Sequence, residues 1–336
     1  MLKPRTLFVV AVLGVVATWL MLLIGGTVNP TGSSLACTWT PTDLLFPTCN
    51  GSAFPTMEGG VLYEHGHRLW GWMVGVLTTT LLIGAWAAAD VNRKTKWLAV
   101  GAFFLVLAQG ALGGLTVFVG LNPILSTAHL VTGYSFLAVM VLLAWRLAPS
   151  RRAEPSLGAT HPRNGLIVAA ALTLLQILIG GGMRHFGAGM ICGDDPIGCG
   201  PQGLWPDMGL QQLHMVHRFV AYLTAIVVVT ASVQAMRRAR RPEVDRPAIA
   251  RLAWVPLVLV LAQVALGLLT IITGKAVAVV MFHTAIGGLL LAALVAVVLG
   301  FGPLGARLGQ RSAIAPTTTP PASTTSSAPT TKGVPA

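Results

Sequence analysis

Gln109-Gly-Ala-Leu-Gly-Gly-Leu-Thr116 and Gln263-Val-Ala-Leu-Gly-Leu-Leu-Thr270 are one apolar phrase written twice, 154 residues apart. The same spacing carries Gly120 onto Gly274 and His129 onto His283. Upstream, Leu23-Ile24-Gly25-Gly26 recurs as Leu178-Ile179-Gly180-Gly181 at an offset of 155, which also carries Cys37 onto Cys192. His67-Arg68 recurs as His217-Arg218 at an offset of 150. Ordered matches in so narrow a band of offsets mark a tandem duplication.

Each copy contains four apolar stretches. Along the chain they fall at about 6–28, 67–89, 97–119, 125–148, 164–183, 213–236, 252–273 and 278–301. Each is close to the roughly 20 residues that cross a bilayer core as a helix. Four spans return the chain to its starting side, so both copies share one orientation, a parallel repeat. The expected fold is an all-α polytopic membrane protein, with eight transmembrane helices arranged as two tandem pseudo-symmetric four-helix bundles. The first bundle would take residues 1–150 and the second 151–303. Residues 304–336 would be a tail, whose Pro/Thr/Ser/Ala run from Ser312 to Ala336 is too poor in large apolar residues to fold.

Composition agrees. Of 336 residues, 54% are hydrophobic and 10% charged, against about 25% charged in a soluble domain. Mean hydropathy is +0.75. Met1–Arg5 is a basic start, but the apolar run behind it is too long and too leucine-rich for a cleaved signal. The net charge of +12 would suit a nucleic-acid binder, but its placement argues otherwise. Lys3, Arg5, Arg93, Lys94, Lys96, Arg146, Arg151, Arg152, Arg163, the six arginines from Arg237 to Arg251, Arg307, Arg311 and Lys332 all fall on one side. The other side has only Arg68, Arg184, Arg218 and Lys275, with Asp43, Glu58, Glu64, Asp194, Asp195 and Asp207. This is a positive-inside pattern. It predicts cytoplasmic termini, outward loops at 29–66 and 184–212, and no nucleic-acid partner. All four cysteines lie in those outward loops, Cys37 with Cys49 and Cys192 with Cys199. Proximity suggests those two disulfides, although four cysteines allow three connectivities. Stapling of the loops and a redox role both remain open.

Four of the eight histidines fall on repeat-related positions: His67, His129, His217 and His283. Each lies near the start of an even-numbered span, so all four share one depth. Ionisable groups within apolar spans are costly and usually functional. Four residues after each comes Gly71, Gly133, Ala221 or Gly287, on the same helix face. Such strips also serve ordinary helix packing, but a duplicated set at one depth points to metal ligation. Two imidazoles per bundle, without a cysteine or carboxylate set, argue against structural zinc and suit haem. His161 and His185 are expected in loops, and His65 on another face of its helix from His67.

Arg68 and Arg218 directly follow ligand candidates and break the charge rule. Each could bind a haem propionate in bidentate fashion, or could simply snorkel. Glu64 lies three residues before His67, and at the offset of 150 its counterpart is His214. One half therefore reads Glu-x-x-His-Arg and the other His-x-x-His-Arg. A carboxylate beside a haem face can act as acid, base or cation stabiliser. It can also be a surface partner of Arg68 at i+4. The residues alone leave both open.

With Glu64-x-x-His67-Arg68, His129, His217, His283, the eight spans and two outward cysteine pairs, the chain resembles the heme A synthase family, of the bacterial type with two cysteine pairs. The likeness covers about residues 6–301. It implies oxidation of the C8 methyl of heme O to a formyl group, giving heme A for cytochrome oxidase assembly, with water-derived oxygen and a membrane electron acceptor. It implies heme b on His217 and His283, and heme O or heme A on His67 and His129. Glu64 matches the family's catalytic carboxylate. Cys192 and Cys199 match the pair associated with haem transfer or electron entry, and Cys37 and Cys49 match the other pair. A bacterial cell membrane location, with membrane lipid around the chain, is implied. So is handover from the farnesyltransferase that makes heme O, and a homo-oligomer is possible. Two other readings compete. A di-haem cytochrome b exchanging electrons with quinone shares the histidine pairs but does not predict the Glu64/His214 asymmetry or the cysteines. A transporter with parallel repeats would need a polar mid-membrane site, where the sequence offers only Gln109 and Gln263.

Overall fold

The computed structural model describes residues 4–38, 47–149, 161–242, 244 and 246–301. Among these residues the chain forms nine α-helices and no extended strand: α1 (Pro4–Val28), α2 (Gly59–Ala87), α3 (Arg93–Phe118), α4 (Pro123–Leu147), α5 (His161–His185), α6 (Gly209–Ala239), α7 (Pro247–Leu252), α8 (Trp254–Ile272) and α9 (Val277–Gly300). Eight segments are long and apolar enough to cross a membrane, with α7 and α8 together forming the seventh. This is an all-α, multi-pass membrane protein. The proposed boundary between residues 150 and 151, the tail from 304, and Asp43, Arg151, Arg152, Arg307, Arg311 and Lys332 lie outside the described residues.

Local chemistry sets the helix ends. Asn92 caps α3 by accepting from the Thr95 N–H at 2.9 Å, and Asn122 caps α4, with Pro123 opening it. The α7–α8 break at Ala253 precedes Pro256, which has no N–H to donate and whose ring crowds the Leu252 carbonyl.

Two helices outrun their apolar stretches. The apolar signal of the second span begins at 67, but α2 begins at Gly59. That of the sixth begins at 213, but α6 begins at Gly209. Hydropathy reports only the part of a helix inside hydrocarbon, whereas backbone hydrogen bonding continues past it. The two cysteine-bearing loops are accordingly shorter than 29–66 and 184–212. Glu64 and His214 lie well inside helices, His185 closes α5, and His161 heads α5, so neither of the last two is a loop residue.

Within the first four helices α1 packs on α2 and α4, and α3 on α2 and α4. The later set repeats those pairings, α5 on α6 and α9, and α8 on α6 and α9. The sets meet where α1 crosses α9 and α4 crosses α5 and α9. Two aromatics pin that seam to consecutive carbonyls. Trp19 Nε1 donates to the Ala285 carbonyl at 2.9 Å, and Tyr134 Oη to that of Thr284 at 2.7 Å.

Each set is packed solid at its basic end. Leu7, Leu81, Met140 and Leu143 anchor one buried cluster, and Leu166, Val228, Leu294 and Val297 the other. The duplicated histidines lie toward the opposite end, which carries the cysteine loops.

Candidate functional site

The four histidine rings stand on α2, α4, α6 and α9, and each leans on a glycine of a neighbouring helix. A Cβ added at Gly25 would lie 2.7 Å from the His67 ring, and one at Gly180 2.7 Å from that of His217. At Gly113 it would lie 3.1 Å from His129, and at Gly267 3.4 Å from His283. The repeated glycines that revealed the duplication are therefore seats for imidazoles, and at Gly25 and Gly180 an added side chain would displace the ring.

His67 and His129 face each other with ring centroids 6.4 Å apart and planes at 85°. A metal bonded to one nitrogen of each ring at about 2 Å would fit between rings so spaced. Nδ1 of His67, His129 and His283 is buried with no hydrogen-bond partner among the described residues. A buried imidazole nitrogen without a partner is costly unless something else completes it. Around His217 and His283 lies a cavity of about 510 Å³, lined also by Gln176, Gln263, Arg218 and Tyr134. Such a volume is typical of a cofactor pocket. Among the described residues no group of three or more His, Cys, Asp or Glu converges.

The small residues one turn beyond the histidines do more than present bare backbone. Gly133 makes room for the Gln109 amide and Gly287 for that of Gln263, each 3.3 Å from where a Cβ would be, and Gly71 for the Met21 methyl at 2.9 Å. Gln109 is hydrogen-bonded to Thr132. Gln263 donates to the His283 carbonyl at 3.0 Å. The two glutamines thus brace the helices that carry His129 and His283.

Glu64 is 3% exposed and far from a surface carboxylate. Its Oε1 accepts from Arg68 Nη2 at 2.7 Å, and its Oε2 from the Cys37 N–H at 2.9 Å. Arg68 also donates to the carbonyls of Cys37 (3.1 Å), Thr48 (2.9 Å) and Thr38 (3.2 Å). Cys37 and Cys49 form one disulfide, Cys192 and Cys199 the other. The Glu64–Arg68 pair therefore clamps the first disulfide loop onto α2.

The second half keeps part of this arrangement. Arg218 Nη1 donates to the Gly198 carbonyl at 2.6 Å, and Gly198, like Thr48, directly precedes the second cysteine of its loop. His214 stands where Glu64 does and places Nδ1 2.8 Å from the Ala188 carbonyl. The loop carries its own carboxylate instead. Asp195 accepts from the N–H groups of Gly198 and Ile197 at 2.9 Å and of Gly200 at 3.0 Å. Those bonds, led by the one from Gly198, hold its carboxyl below the usual range.

Residues 5–295 match the family model COX15-CtaA, described as cytochrome oxidase assembly protein. The chain belongs to the COX15-CtaA family. The matched residues include all four histidines, Glu64 and both cysteine pairs. The chain is 28% identical over 265 residues to a protein named Heme A synthase from Bacillus licheniformis, covering 76% of this chain and 84% of that one. It is 27% identical over 303 residues to one of the same name from Halalkalibacterium halodurans, covering 88% and 97%. A third, from Rhizorhabdus wittichii, is 26% identical over 334 residues, covering 87% and 93%.

In this COX15-CtaA chain the pattern of histidines did not point to every residue that meets them. Gln176 Nε2 lies 3.0 Å from His217 Nδ1 and donates to the His217 carbonyl at 2.9 Å. At the offset of 155 its counterpart is Met21. A glutamine in the middle of α5, opposite a methionine in the other copy, was the signal that could have found it.

Proposed function

We propose that the chain is a heme A synthase, an oxidoreductase that converts the C8 methyl of heme O to the formyl of heme A for cytochrome oxidase assembly. The observation that carries this reading is the pairing of duplicated, glycine-seated histidines with one buried carboxylate present in a single copy. Four imidazoles give two equivalent holding sites, and Glu64 makes them chemically unequal.

His67 and His129 would hold heme O as substrate and heme A as product. His217 and His283, beside the cavity, would hold a resident heme b. The glycine seats, the spacing of the His67 and His129 rings and the cavity fit imidazole ligation of a flat macrocycle. Bound heme b would supply one-electron redox chemistry. Glu64, three residues before His67 on the same face, would stabilise positive charge at the methyl carbon or activate the water that attacks it. Arg68 would position Glu64, since its donors meet that carboxylate and the loop carbonyls. Arg218 is the arginine with donors to spare for a propionate.

The orientation reading places both termini in the cytoplasm of a bacterial cell and the disulfide loops outside. Water-derived oxygen, a membrane electron acceptor, handover from the farnesyltransferase that makes heme O, and two bundles split near residue 150 complete the reading. Extracted pigment from the purified chain tests it. Heme b together with heme O or heme A is the expected content, and heme b alone would instead favour a di-haem cytochrome. Glu64→Ala should keep both histidine pairs loaded yet form no heme A, and normal heme A in that variant would overturn the role of Glu64.

A further inference from the structure

Four cations stand on the disulfide side of the spans: Arg68, Arg184, Arg218 and Lys275. Three of them, Arg184, Arg218 and Lys275, line the 510 Å³ cavity around His217 and His283, and no acidic residue among the described residues lines it. Arg218 is 6% exposed, and its Nε and Nη2 are buried without a hydrogen-bond partner among the described residues. Buried guanidinium donors left unmatched are costly, so the site is built for an acceptor. Asp195, the carboxylate of the Cys192–Cys199 loop, is already engaged by three backbone N–H groups of that loop. Arg184 is aimed by Asn29, whose Oδ1 accepts from its Nε at 3.2 Å. Lys275 rests its stem on Gly189, where a Cβ would lie 3.6 Å away.

The other copy lacks this set. By the repeat offsets, Arg218 corresponds to Arg68, whose donors are taken by Glu64 and three carbonyls. Arg184 corresponds to Asn29, and Lys275 to Leu121. The last pair occupies the same turn: Gly120 and Leu121 have φ of 69° and 64°, Gly274 and Lys275 of 58° and 65°. The backbone is shared and only the charge differs.

We infer that Arg218, Lys275 and Arg184 form a carboxylate clamp that retains the tetrapyrrole of the second histidine pair through its propionates, and that the first pair lacks such a clamp so that its tetrapyrrole can leave. The inference rests on the proposed assignment of a resident heme b and an exchanging substrate. Retention and release would then be set by cations at the cavity mouth, while both sites keep the same imidazole ligation.

The test measures haem loss from the full-length protein to excess apomyoglobin. Arg218→Gln should speed heme b loss by about 10-fold or more, the range of a charge-assisted bond, and Lys275→Gln by less because it is exposed. Wild-type protein loaded with heme b dimethyl ester should lose it as fast as the triple variant Arg184→Gln/Arg218→Gln/Lys275→Gln loses the free acid. Esterification should make no difference to that triple variant. The ester comparison needs no substitution, so it stands even if a variant folds poorly. Leu121→Lys should slow release of heme O from the first pair. Equal loss rates for acid and ester in the wild type, or no change in the triple variant, would overturn the clamp while leaving the synthase reading intact. A purified chain holding no heme b on His217 and His283 would sink both.

Discussion

Position 64 carries a glutamate and position 214, its counterpart, a histidine, and around that single difference the two copies use equivalent parts for different ends. In the first, Arg68 spends its donors on Glu64 and on the loop closed by Cys37 and Cys49. In the second, Arg218 touches its loop once and keeps two buried donors without a partner among the described residues. A duplicated scaffold can keep the same histidine positions and still make two unequal sites, because the distinction lies in which groups the arginine meets.

The largest effect expected from breaking this comparison is at the ligands. His217→Ala should abolish the heme b spectrum while His67→Ala leaves it, because only the second pair is assigned a resident cofactor. An unchanged bis-histidine spectrum in His217→Ala would remove the distinction between the copies. Next come the arginines. Arg68→Gln strands a buried carboxylate and should cost about 3 kcal/mol, whereas Arg218→Gln removes a single backbone bond and should cost about 1 kcal/mol. Thermal melts of the two variants compare them directly, and equal losses would mean that the Glu64 pair is no firmer than its counterpart.

The glycine seats offer a graded series. Alanine at Gly25 or Gly180 would meet an imidazole at 2.7 Å, at Gly113 at 3.1 Å and at Gly267 at 3.4 Å. Haem occupancy should fall most for the first two, less for Gly113→Ala and least for Gly267→Ala. Occupancies in any other order would mean that the seats do not position the rings. The smallest effect belongs to Asp195. Its folded pKa is depressed, first by the Gly198 N–H, so its contribution to the loop is present above the unfolded value and is lost as pH falls through the folded one. Hydrogen exchange in the Cys192–Cys199 loop should therefore rise only below the ordinary Asp range of about 4, and Asp195→Asn should raise it at neutral pH.

Much of this was legible in one dimension. Burying a bare backbone in lipid is so costly that a span must be a long apolar helix, so eight spans can be counted from hydropathy. A duplication shows as self-similarity, so the four histidines and the Glu64/His214 mismatch needed no coordinates. The outer turns of α2 and α6 were hidden because hydropathy ends where hydrocarbon ends. Gln176 was hidden because an isolated amide in α5 declares neither its rotation nor its neighbour.

By itself, then, the sequence determined the spans, the repeat, the paired imidazoles and the mismatch of Glu64 with His214. These follow from spacing along a single helix and from the cost of polar groups in lipid. Only the tertiary structure decided that Gly25, Gly113, Gly180 and Gly267 seat the rings, that Arg68 is committed where Arg218 is not, and that Lys275 stands at the cavity mouth. Those outcomes depend on how far each helix is turned and which neighbour it meets, and side chains distant in sequence acquire a distance from one another only when the helices pack.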